Sequence, residues 1–187
     1  MPEDVRTAIY GGRPDRGRYS CAGEDERVPE PPVADAPARL HRALLARGET
    51  VAAAESLTAG LFCATLATVP GASATLRGGV VVYATELKTA LAGVPADLLT
   101  AHGPVSPQTA AALADGVRAR CGASWGIGLT GVAGPDPVDG HRPGRVYLGI
   151  SGPVGTDVVE LDLAGNRAAV RAGAVAAAVD RLLARLG

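Results

Sequence analysis

Apolar runs of strand length alternate with stretches of helical spacing along this chain, and that alternation constrains the fold more than any other feature. Leu40, Leu44 and Leu45 share one face of a helix that begins at Pro37 and stops at Gly48, a glycine suited to a helix C-terminus. Val51-Ala52-Ala53-Ala54 then reads as a buried strand, and Leu57–Val69 as a helix ended by Pro70-Gly71. Gly79-Val80-Val81-Val82-Tyr83 is the clearest strand because it is β-branched throughout, and Thr85–Leu91 is the helix after it. Pro95–Ala101 and Pro107–Cys121 each place proline in a first helical turn, the second behind a Ser106 N-cap. Ser124–Leu129 is a strand running into the glycine loop Thr130–Pro135. Arg145–Ser151 and Thr156–Leu163 are joined by the tight Gly152-Pro153-Val154-Gly155 turn, so they pair antiparallel before the long Ala-rich helix Arg167–Leu186. The expectation is an α/β protein: a three-layer α/β/α sandwich on a mixed sheet of about five strands with one C-terminal hairpin.

A length of 187 residues suits one domain. Residues 1–36 are rich in Pro, Gly and charge, with five Arg against eight Asp and Glu. Such a segment buries too little apolar surface to offset its ordering entropy, so a disordered tail is expected there and the folded domain over 37–187. No run approaches the roughly 18 apolar residues of a membrane span, and the acidic N-terminus lacks the design of a signal peptide, so a cytoplasmic protein is expected. A net charge of −1 advertises neither nucleic-acid nor membrane binding. Cys21, Cys63 and Cys121 are odd in number and widely spaced, hence read as free thiols, two of them in the core. Nothing has metal-ligand spacing, and no metal or cofactor is expected. The final helix is more apolar than one buried face needs, which points to a homodimer.

In open α/β sheets, ligands gather beyond the C-terminal ends of the parallel strands. Glu55–Gly60, Tyr83–Lys88 and Thr130–Pro135 all fall at such ends. Ser56 sits at a strand-to-helix junction, where a sharp turn can expose a hydroxyl beside backbone N–H donors; a serine there serves equally well as a plain N-cap. Its base is not evident among the histidines, since His41, His102 and His141 all lie away from these loops. Lys88 is the one lysine among 18 basic residues, the other 17 being arginine. Arginine stays protonated, whereas a desolvated lysine gives up its proton, so Lys88 is either where deprotonation is needed or a chance survivor. Its place early in a helix, together with burial, is expected to lower its pKa. Tyr83 either relays the proton and holds Lys88 or simply packs on the sheet. Glu55 and Glu86 are assigned no step. The Thr130–Pro135 loop has glycines that let backbone amides approach an anion, yet it is neither a Walker loop nor a dinucleotide fingerprint.

Taken together, Glu55-Ser56-Leu57-Thr58-Ala59-Gly60, Arg77–Lys88, His102-Gly103-Pro104-Val105-Ser106 and Thr130-Gly131-Val132-Ala133-Gly134-Pro135 resemble the C-terminal domain of the CinA family, the nicotinamide-nucleotide amidohydrolases. The resemblance spans about Leu40 to Leu186 and includes Gly165-Asn166-Arg167 before the last helix. It implies catalytic roles for Ser56, Tyr83 and Lys88, with Ser56 the nucleophile. It implies a substrate-binding set of Thr58, Gly60, Thr130, Gly131, Gly134 and Arg167, the arginine holding the nucleotide. The implied reaction is hydrolysis of nicotinamide mononucleotide to the nicotinate nucleotide and ammonia without a metal; the alternatives are a non-catalytic nucleotide-binding module or an amidase for another small amide. Ala59, Thr85 and Asn166 stand where the family has glycine, asparagine and aspartate. The Ala59 methyl is expected to crowd the pocket. The N-terminal domain of the larger family proteins, with its second activity, is not expected here.

Overall fold

Val51–Glu55 (β1) is buried at every residue, as befits a short apolar run with neighbours on both edges and helices on both faces. The computed structural model describes residues 35–187. β1 pairs in parallel with Leu76–Val81 (β2) on one side and Trp125–Gly131 (β3) on the other. Arg145–Gly152 (β4) and Gly155–Asp162 (β5) continue the sheet antiparallel, giving the order β2-β1-β3-β4-β5. The helices are Asp35–Arg47 (α1), Leu61–Ala67 (α2), Thr85–Ala90 (α3), Ala96–His102 (α4), Pro107–Cys121 (α5) and Arg167–Leu186 (α6). This is the expected mixed five-stranded sandwich, hairpin included.

Alternate residues of each central strand feed opposite layers. Ala53, Ile127 and Leu148 face α1, α2 and α6, packing with Leu40, Leu44, Phe62 and Leu182. Ala52 and Ala54 face the other way, onto Leu113 and Val117 of α5. Each such leucine or phenylalanine taken fully from water stabilises the fold by about 1.5–3 kcal/mol. On the α5 side the sheet is paved with glycine. A Cβ at Gly126, Gly128 or Gly149 would stand 2.1, 2.3 or 2.2 Å from a backbone oxygen of α5, so the helix lies directly on the strand backbones.

Two boundaries depart from the sequence expectation. The helix expected from Leu57 begins only at Leu61, because Ala59 (φ 50°) and Gly60 (φ 91°) are left-handed and cannot continue an α-helix. The strand expected over Gly79–Tyr83 instead runs Leu76–Val81: half-buried Leu76 packs at the edge of the core, and β1, which ends at Glu55, offers Tyr83 no partner. Ser106 caps α5 as expected, accepting from the Thr109 amide at 3.1 Å. Of the tail expected over 1–36, Asp35 and Ala36 open α1, and the rest lies outside the described residues. Cys63 and Cys121 are free but only half-buried, at the margins of the two core layers rather than within them; Cys21 lies outside the described residues. Among the described residues no helix is long and apolar enough to cross a membrane.

Candidate active site

The C-terminal ends of β1, β2 and β3 lie side by side, and a cavity of about 220 Å³ opens above them. Ser56 leaves the end of β1 with its amide still donating to Leu129 O (2.9 Å), which ties it to the neighbouring strand. The chain then turns through Leu57–Gly60 before α2. Gly60, not Ser56, is the N-cap of that helix, so the capping role open to Ser56 from sequence is not the one it fills. Within the turn the Ala59 amide donates to Ser56 O and the Leu61 amide to Thr58 O. The Leu57, Thr58 and Gly60 amides are left without a backbone acceptor.

Lys88 reaches the same place from α3. Its side chain is 2% exposed, with Nζ 3.2 Å from Ser56 Oγ and 2.9 Å from Val82 O. Burial holds the Lys88 pKa below the ordinary lysine value, and the nearby Glu86 carboxylate opposes that shift. The helix-terminus contribution expected from sequence has no long helix behind it: α3 has only six residues, and Lys88 belongs to its last turn. A neutral amine at this distance accepts the serine hydroxyl's proton, while its own N–H groups stay on Val82 O.

Tyr83 lines the cavity but makes no hydrogen bond to Lys88. Its ring is 55% exposed, and its hydroxyl accepts from Arg167 Nη2 at 2.5 Å. The hydroxyl thus holds Arg167 rather than Lys88, and the exposed ring sits at the rim rather than packed on the sheet. Arg167, the first residue of α6, also donates from Nη1 to Gly134 O (2.9 Å), so it joins the loops after β2 and β3 across the cavity. Asn166 caps α6 through the Ala169 amide (3.0 Å), a task an aspartate performs equally.

The remaining expected binding residues divide. Gly131 and Gly134 line the cavity, and so does Thr130, whose hydroxyl is already committed to Pro104 O (2.6 Å). That bond holds the Gly103–Val105 segment as a cavity wall rather than offering a hydroxyl to a ligand. Thr58 and Gly60 do not line the cavity. Thr58 is fully buried, with Oγ1 lacking a hydrogen-bond partner, and Gly60 turns the backbone beside Val81. Ala59 is exposed and outside the cavity too, so its methyl crowds no pocket; what it bears is a left-handed backbone.

Sequence reasoning missed Asp136 and Asp139 on the cavity wall and Arg171 behind the Ser56 turn, and it gave no role to Thr85 and Val132 within the loops it had placed at the strand ends. Only Arg171 had a legible signal, lying one helical turn beyond Arg167 on the same face. None of the three histidines lines the cavity. Cys63, near the turn, is no rival nucleophile: burial, with help from the Glu55 charge, pushes its thiol up to about 12.

Fold and site together define a class: an α/β/α sandwich with a buried serine–lysine pair where its three parallel strands end. The chain belongs to the CinA C-terminal domain family, whose pattern residues 34–186 match. It is 49% identical over 146 residues to a CinA-like protein of Frankia casuarinae, an alignment covering 76% of this chain and 34% of that one. It is 47% identical over 156 residues to a putative competence-damage inducible protein of a Geobacillus strain, covering 83% and 36%. The chain thus spans about a third of the length of these relatives. Among solved structures, a competence-damaged protein (CinA) superfamily member from Klebsiella pneumoniae superposes with a TM-score of 0.80 at 30% identity, covering 82% of this chain and 97% of that one. A competence/damage inducible protein from Agrobacterium tumefaciens gives 0.78 at 30% identity, covering 81% and 94%.

Proposed function

We propose that this chain hydrolyses the carboxamide of nicotinamide mononucleotide, releasing ammonia and the nicotinate nucleotide, with Ser56 as nucleophile and Lys88 as its base. The observation that carries this reading is the 3.2 Å approach of a buried lysine amine with a lowered pKa to a serine hydroxyl at the floor of a cavity. A lysine deprived of water is suited to take a proton.

In the first step neutral Lys88 takes the Oγ proton as Oγ bonds to the carboxamide carbon. The oxygen of that carbonyl gains charge, and the donor this reading assigns to it on the serine's own loop is the amide of cavity-lining Leu57, which has no backbone acceptor. The C–N bond then breaks, and the Lys88 ammonium returns its proton to the departing ammonia. Water attacks the acyl-serine, Lys88 takes the water's proton, and the C–O bond to Ser56 breaks as Oγ is reprotonated. Arg167 at the rim suits a phosphate. Asp136 and Asp139 on the wall suit ribose hydroxyls or the positive pyridinium ring. A cavity below the roughly 300–1,000 Å³ of most ligand sites favours a mononucleotide over a dinucleotide.

Ammonia release from nicotinamide mononucleotide is the test. Ser56→Ala and Lys88→Arg are each expected to lose at least about 100-fold in kcat, since arginine keeps the charge but cannot act as a base. Because neutral Lys88 is the working form, the rate rises with pH through a midpoint below the ordinary lysine value. Tight nucleotide binding without ammonia release would instead identify a binding module, and release only from other amides an amidase of different specificity. Normal turnover by Lys88→Arg would remove lysine from the mechanism.

A further inference from the structure

The turn carrying Ser56 does not hold itself. Two successive left-handed residues, one of them an alanine, reverse the chain at its far end, and only two backbone hydrogen bonds cross it, from Ala59 to Ser56 and from Leu61 to Thr58. The rest of its support comes from two charged side chains. Glu55, the residue before Ser56, is 1% exposed, and both carboxylate oxygens are occupied: Oε2 accepts from the Phe62 amide and Oε1 from the Cys63 amide, each at 3.0 Å. Its side chain therefore spans the turn from the entry at β1 to the first turn of α2. On the other side Arg171 of α6 donates from Nε to Leu57 O (3.1 Å) and from Nη2 to Thr58 O (2.7 Å). The two groups do different work. A carboxylate can receive two adjacent amides at once, and a guanidinium fork can reach two successive carbonyls. Since peptide units are trans and planar, fixing Leu57 O toward Arg171 also turns the Thr58 amide away from it.

We propose that Glu55 and Arg171 are positioning residues: they clamp the Ser56 turn from opposite sides and so set the hydroxyl at its working distance from Lys88. Neither lines the cavity, so they act through the turn and not on the substrate. The inference rests on reading Ser56 and Lys88 as nucleophile and base. An error of about 1 Å between reacting groups can cost on the order of 100-fold in rate, so a clamp that merely keeps the turn in place matters to kcat.

Lys88 being the only lysine in the chain makes the test direct. Full-length protein grown on lysine labelled with ¹³C at Cε yields one side-chain signal, whose pH titration reads the Lys88 amine. Glu55→Gln keeps the shape but leaves one acceptor oxygen for two amides. Removing a negative charge would by itself shift the Lys88 midpoint down; releasing the turn lets water reach the amine and shifts it up, toward the ordinary lysine value. The expected result is an upward shift of about half a unit or more, with kcat for ammonia release about tenfold lower and KM within about twofold. A folded Glu55→Gln protein whose midpoint and kcat match the parent would overturn the proposal. Should that variant fail to fold, Arg171→Gln, which adds no second lysine, decides by the same split: kcat falling with KM held supports the clamp, and an unchanged kcat overturns it. Failure of the parent to release ammonia would count against the proposed reaction alone, because the lysine titration still reports whether the clamp sets the surroundings of Lys88.

Discussion

A proton acceptor and its donor are set here by surroundings as much as by residue type. Lys88 is suited to act as a base because burial removes the water that stabilises its charge, and because Val82 O and Ser56 Oγ are the partners left to it. Ala59 illustrates the reverse, a residue whose surroundings are wrong for it. At φ 50° its Cβ carries the steric penalty that glycine escapes, roughly 1–2 kcal/mol, part of which glycine returns through greater freedom in the unfolded chain. Ala59→Gly is therefore expected to stabilise the protein by about 0.5–1 kcal/mol in urea unfolding, with KM unchanged because the residue is exposed and outside the cavity. A loss of stability would show that the turn does not pay this penalty. At this scale the identities of Ser56 and Lys88 were legible, one at a strand end and the other a lone lysine in an arginine-rich chain. The partners of Tyr83, Thr58 and Thr130 were not. Each is decided by a group from a distant element or by the lack of one: Arg167 for Tyr83, Pro104 for Thr130 and, for the Thr58 hydroxyl, no partner at all.

Between elements, the decisive contact is α5 lying on the sheet. Gly128 and Gly149, opposite each other on β3 and β4, both face the Ala110 carbonyl. Gly128→Ala would put a methyl 2.3 Å from that oxygen and 2.7 Å from the Ala114 nitrogen, backbone atoms that yield only if the helix moves. Such overpacking costs about 1–3 kcal/mol, so a lower urea midpoint with an unchanged slope is expected. An unchanged midpoint would mean the helix is free to lift. From sequence these glycines read only as interruptions in apolar runs, since nothing local announces that a helix backbone rests on them. Local patterning did locate α5, α6 and the hairpin, because a capped proline start, a long Ala-rich run and a tight turn carry their signal locally. It misjudged the entry to α2, where the left-handed Ala59 departs from the preference of its residue type.

For the molecule as a whole, the three strand ends bring every group of the proposed chemistry from separate parts of one chain. Among the described residues no group of three or more His, Cys, Asp and Glu side chains is arranged to hold a metal ion. Because the proposed mechanism takes its nucleophile and base from Ser56 and Lys88, dialysis against EDTA is expected to leave ammonia release unchanged. A rate lost on chelation and regained with a divalent ion would point to a different source of the activity. The sequence by itself determined the alternation of strands and helices, hence the sandwich, and the convergence of three loops at one sheet edge, because these follow from local periodicity and from the connection rules of parallel strands. Only the tertiary structure decided that Lys88 is buried against Ser56, that Tyr83 answers to Arg167, and that Glu55 and Arg171 grip the serine turn. In the serine turn alone, hydrogen-bond partnership joins residues 114 positions apart, and no local pattern encodes which of them will meet.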